Sequence, residues 1–76
     1  MFTVVVKRVR GVEQVVAETP DLLTAYALRN QEAARLMARG FTGATNGAGV
    51  WRLSKRVAGR RVRLAVFIAG RTFSLN

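Results

Sequence analysis

The sequence contains no cysteine, no histidine, a single proline and four acidic residues among 76. Without cysteine there is no disulfide framework and no thiolate metal site, and an intracellular setting is the simplest reading. Without histidine, the commonest general base and the commonest metal ligand are missing together. The acidic residues are Glu13, Glu18, Asp21 and Glu32. None is paired in a way that suits general acid–base work, so the composition predicts a chain with no catalytic residue, no metal and no cofactor. No segment approaches the run of about 20 apolar residues that spans a bilayer. In MFTVVVKRVR the basic residues follow the apolar ones, which is the wrong order for a secretory signal. The expectation is a cytoplasmic protein with no membrane partner.

Positive charge is abundant. Lysine and arginine total 13, eleven of them arginine, and the net charge is +9. An excess this large on a small chain attracts polyanions such as nucleic acid or an acidic protein surface. A hydrophobic fraction of 50% argues against disorder. The length suits one domain, residues 1–76, with a modest core.

The charge concentrates in Val50–Ile68, VWRLSKRVAGRRVRLAVFI, which reads as a β-hairpin. Trp51, Leu53 and Lys55 alternate with Arg52, Ser54 and Arg56. Val62, Leu64, Val66 and Ile68 alternate with Arg61, Arg63, Ala65 and Phe67. Period-2 alternation marks half-buried strands. A two-residue Ala58-Gly59 loop pairs Val57 with Arg60, because glycine supplies the positive φ that such turns need. Counting outward puts Arg56–Arg61, Ser54–Arg63, Arg52–Ala65 and Val50–Phe67 on one face. Lys55–Val62, Leu53–Leu64 and Trp51–Val66 take the other. A one-residue slip would invert each strand, so the pattern selects its register. Arg56 then confronts Arg61, and no acidic residue follows Glu32 to neutralise the pair.

Elsewhere, Phe2–Val9 reads as a strand, Arg10-Gly11 as a turn, and Val12–Glu18 as a returning strand or arm. Lys7, Arg8 and Arg10 crowd that ribbon's tip as a secondary basic patch, with Glu13 placed to offset one charge. Thr19-Pro20-Asp21 opens a helix, with Thr as cap, Pro preset for the first position and Asp suited to the dipole. The helix is expected from Pro20 to about Arg39, with Gly40 just beyond its end. Leu22, Leu23, Tyr26, Ala33, Ala34 and Met37 form its apolar stripe, with Asn30 near the middle and bonded to backbone or to Tyr26. Thr24, Leu28, Gln31, Glu32, Arg35 and Arg39 take the solvent side. Phe41–Asn46 follows as a short strand, Asn46–Gly49 as a turn, and Gly70-Arg71 as a bend before a brief strand at Thr72–Leu75. The expected fold is α+β: an antiparallel sheet of four to five strands in β(β)αβββ order, with one helix packed across one face.

Familiar motifs fail on context. Arg39-Gly40-Phe41 matches the start of an RNA-recognition signature, but Thr42-Gly43-Ala44 does not continue it. Gly40–Gly43 fits GXXG without the second helix a KH loop needs. No helix opens after Gly47-Ala48-Gly49, so it is no phosphate loop.

The functional expectation is a non-catalytic binding module whose open sheet face carries Arg52, Arg56, Arg61 and Arg63, with Arg60 at the turn. Phosphates of DNA or RNA would meet these arginines, and Phe67 on the same face could stack on a base. A two-stranded ribbon also has a size that enters a major groove. The layout of Thr19-Pro20-Asp21, Gly40-Phe41, Asn46-Gly47 and the basic hairpin Val50–Ile68 resembles small phage-encoded basic βαββ proteins, including anti-CRISPR proteins. That resemblance implies a different activity: a stoichiometric inhibitor, phage-encoded and acting in a bacterial host, that binds a nuclease or surveillance complex at an acidic or nucleic-acid-binding surface. A homodimer paired through Phe2–Val6 or Thr72–Leu75 is compatible with both readings.

Overall fold

Six elements follow from these local signals in a computed structural model that describes residues 1–70. They are β1 (Phe2–Arg8), β2 (Glu13–Thr19), α1 (Leu22–Ala38), β3 (Thr42–Thr45), β4 (Trp51–Val57) and β5 (Arg60–Gly70). The strands form one antiparallel sheet in the order β2-β1-β5-β4-β3. With α1 across one side, this is an α+β fold in ββαβββ order. The strand expected at Thr72–Leu75 lies outside the described residues.

The β4–β5 hairpin has the register expected of it. Trp51 pairs with Val66, Leu53 with Leu64, Lys55 with Val62 and Arg56 with Arg61, down to Val57 with Arg60. Ala58 and Gly59 have φ of 52° and 80°, as a two-residue type I′ turn requires. The helix covers the Trp51/Leu53/Leu64/Val66 side. Leu53 is 2% exposed, and Val4 and Val66 are fully buried beside it.

The helix is rotated from its expected setting. Its buried residues are Ala25, Ala33 and Leu36, with Leu28 and Met37 packed against the same core. Leu23 (75% exposed) and Tyr26 (41%) face solvent, and Leu22 and Ala34 are also exposed. At about 100° per residue, the true stripe lies roughly 80° round from the one centred on the large side chains. Volume complementarity explains the difference. The sheet presents Phe2, Val4, Val6, Trp51, Leu53, Leu64, Val66 and Ile68, so alanines on the helix permit close approach.

The helix ends are specific. Asp21, rather than Thr19, is the N-cap: its Oδ2 accepts from the Thr24 amide at 2.8 Å and from the Thr24 hydroxyl at 2.6 Å. Thr19 is buried opposite Phe2 at the end of β2 and accepts from the Asp21 amide instead. At the other end the amides of Gly40 and Phe41 reach back to the carbonyls of Met37 and Leu36. This is a Schellman ending, with Gly40 at φ 102°.

Strand order corrects one expectation. Phe2–Val6 lies in β1, which is paired on both sides, so it offers no edge to a second copy. The sheet's edges are β2 and β3. β2 carries Glu13 and Glu18, and its register slips by one between Val4 and Val5 of β1, leaving Val16 as a bulge. Charge and a bulge both discourage edge-to-edge pairing.

Candidate functional site

Cations used by the fold separate from those it leaves unused. Arg29 donates to the Gly49 carbonyl at 2.9 Å and to Asn30 Oδ1, and lies 5.1 Å from the centre of the Tyr26 ring. Arg35 pairs with Glu32, which holds the guanidinium above its ordinary pKa through hydrogen bonding and charge. Lys55 donates to the carbonyl of Arg39 at the helix C-terminus and sits over the Phe41 ring. Arg35–Glu32 is the one ion pair among the described residues. Lys7, Arg8, Arg10, Arg39, Arg52, Arg56, Arg60, Arg61 and Arg63 are exposed and have no side-chain hydrogen bond among the described residues.

Register places most of these unused cations in one region. On the side away from the helix, Glu13, Lys7, Ala65 and Arg52 form one cross-strand row, with the Glu13 carboxylate placed directly opposite Lys7. Ser54 and Arg63 form the next, then Arg56 and Arg61. The secondary patch converges on the same end. β1 is adjacent to β5, its last pair is Arg8 with Leu64, and the Val9 amide donates to the Arg63 carbonyl at 3.2 Å. As a result Arg8, Val9, Arg10, Arg60, Arg61, Val62 and Arg63 line a cleft of about 380 Å³. Five of its seven lining residues are arginines and none is acidic. The β1–β2 tip and the β4–β5 turn, two basic patches in the sequence, are one cationic surface in the fold. Only the order of the strands reveals this, and no local pattern encodes it.

Arg60 differs from its neighbours in direction. It pairs with Val57, so by strand parity it lies on the helix side while Arg56 and Arg61 lie on the open side. The cationic surface therefore wraps the ribbon rather than covering one plane.

Phe67 shares the open face but not the arginine cluster. It lies opposite Val5, which lies opposite Val15, and it is half-buried in this apolar row. It lies four positions from Arg63, about 13 Å along the strand, and two from Ala65, whose row carries Lys7 and Arg52. Asn30 also departs from expectation. It is exposed, and its Oδ1 accepts from Trp51 Nε1 at 3.1 Å and from the Arg29 guanidinium. It anchors α1 to β4 rather than bonding to Tyr26.

Among the described residues no three His, Cys, Asp or Glu side chains come together as metal ligands. No helix among them is long and apolar enough to cross a membrane. The chain matches no protein-family model, no curated protein and no solved structure with which it was compared.

Proposed function

We propose that this chain is a non-catalytic nucleic-acid-binding module that acts through the cationic end of its sheet. One observation carries the reading: Arg8, Arg10, Arg60, Arg61 and Arg63, from two separate hairpins, line one cleft without a carboxylate. Arginines gathered this way repel one another, and the fold gives them no internal partner among the described residues. Phosphates would satisfy them, since guanidinium groups bind phosphate by charge-assisted, often bidentate hydrogen bonds. Arg52, Arg56 and Lys7 extend the same surface over the open face. Binding of this kind is mainly electrostatic and weakens steeply with salt.

Fluorescence anisotropy with labelled DNA and RNA at low salt tests the proposal. Micromolar or tighter binding is expected, falling at least about tenfold in the Arg56→Glu, Arg61→Glu double variant. No binding to any nucleic acid would overturn it.

A second reading keeps the resemblance to small phage-encoded proteins, anti-CRISPR proteins among them. There the arginines would meet an acidic protein, and the chain would act as a stoichiometric inhibitor of a bacterial nuclease or surveillance complex. The exposure of Leu23 and Tyr26 on α1 favours this reading, because an apolar helix patch serves a protein contact better than a polyanion.

A further inference from the structure

The β4–β5 hairpin outruns its neighbours. The pairing of β3 with β4 stops at Thr42 with Ser54, and the pairing of β1 with β5 stops at Arg8 with Leu64. The last three pairs, Lys55–Val62, Arg56–Arg61 and Val57–Arg60, therefore have no third strand beside them and form a two-stranded ribbon, anchored at its base where Lys55 meets the Arg39 carbonyl and the Phe41 ring. From these features we infer that the ribbon enters the major groove of B-form duplex DNA, with Arg8 and Arg10 on the phosphates at the groove edge. This inference rests on the nucleic-acid reading above and specifies its ligand.

Dimensions support it. Three residue pairs rise about 10 Å and two strands lie about 4.8 Å apart. The major groove of B-DNA is about 12 Å wide and 8.5 Å deep, and it admits a two-stranded ribbon. The tip is a tight turn of Ala58 and Gly59, both exposed, so no bulky side chain blocks the approach to the groove floor.

Charge placement supports it too. Arg56 and Arg61 lie on one face of the ribbon and Arg60 on the other, as parity in the register requires. A flat phosphate surface would use one face only. A groove has a phosphate wall on each side, and a ribbon standing in it presents a cation to both. Beside the ribbon, Arg8 and Arg10 line the cleft with Arg60, Arg61 and Arg63, where a groove-edge phosphate would sit.

The other nucleic-acid forms fit less well. The major groove of A-form RNA is deep and too narrow for side chains to read. Single-strand binding relies on aromatic platforms that stack successive bases. Here Phe67 is the single open-face aromatic among the described residues, and it is half-buried in the Val5–Val15 row, so no second ring continues a stack.

The test uses the full chain with a mixed-sequence DNA duplex, the corresponding RNA duplex and each DNA single strand. Anisotropy should show the DNA duplex bound at least about tenfold more tightly than the other forms. Dimethyl sulfate should show protection of guanine N7, which lies in the major groove. Arg60→Gln, at an exposed turn position that leaves the core intact, should weaken duplex binding severalfold and reduce the magnitude of its salt slope by about 1, as loss of one phosphate contact does. Arg39→Gln, at the end of α1, should change it little. Equal or tighter binding of RNA duplex or single strands, or unprotected guanine N7, overturns groove entry and leaves the nucleic-acid reading standing. Failure to bind any nucleic acid overturns both.

Discussion

Replacing Arg56 by glutamate should stabilise the protein and weaken its binding. Arg56 lies directly opposite Arg61, both side chains are exposed, and no acidic residue sits on either strand. Opposed like charges destabilise a sheet and opposed unlike charges stabilise it, each by about 0.2–1 kcal/mol. Solvent screening favours the lower end of that range for exposed groups. Arg56→Glu exchanges a repulsion for an attraction, a swing of about 0.4–1 kcal/mol. In a domain of this size that raises Tm by about 2–8 °C. Arg56→Gln removes the repulsion alone and should fall between the two. Thermal unfolding by circular dichroism at low salt measures the series, and the spread should shrink toward 1 M salt, where the Debye length is about 3 Å. In parallel, net charge falls from +9 to +7, and nucleic-acid affinity should drop at least about tenfold at low salt. Opposite movement of stability and affinity would mark a site retained at a cost to the fold. A Tm that is unchanged or lower at low salt would refute the reasoning about the pair, and unchanged affinity would remove Arg56 from the interface.

Other consequences follow from the same geometry. Leu53→Ala should cost about 2–5 kcal/mol, a large share of the roughly 4–11 kcal/mol expected of a chain this long; urea unfolding measures it. Gly43→Ala should detach β3, because a Cβ there would lie 1.9 Å from the Arg52 carbonyl oxygen; loss of amide-exchange protection across Thr42–Thr45 is the readout. Asp21 is held below the ordinary carboxylate pKa by the Thr24 hydroxyl and then by the Thr24 amide. The folded state therefore binds that proton less well than the unfolded chain. The resulting stabilisation is complete above the unfolded pKa of about 3.9 and is lost as pH falls through the lower folded value. Melting curves of wild type and Asp21→Asn should converge at acid pH. Finally, Arg52→Ala should lower nucleic-acid affinity more than Arg35→Ala does, since Arg35 is paired with Glu32; the reverse order would move the site to the helix.

The sequence was most informative where signals were local. The hairpin register was legible because alternation and a two-residue turn agree, and a slip would have exposed Leu53 and Leu64. Gly40 marked the helix end because only a residue tolerant of positive φ closes the Schellman motif comfortably. The helix face is not legible in the sequence, because large side chains outweigh small ones in an apolar stripe. Ala25 and Ala33 gain their importance only from the bulky sheet opposite them. Asn30 was misplaced by the same rotation. Strand order was the costliest gap. Inserting β1 beside β5 is a long-range choice that fills the core with Val4 and Val66, and no short pattern announces it. That choice joins Arg8 and Arg10 to Arg60, Arg61 and Arg63, and it moves Phe2–Val6 from a supposed edge to the interior.

A phosphate-binding surface built from the unused arginines predicts binding that depends steeply on salt. Anisotropy titrations of a DNA duplex across a range of potassium chloride concentrations give log K against log salt. Engagement of most of Arg8, Arg10, Arg56, Arg60, Arg61 and Arg63 predicts a linear decline with a slope of about −3 to −5. A slope near zero, or no binding at the lowest salt, would contradict it.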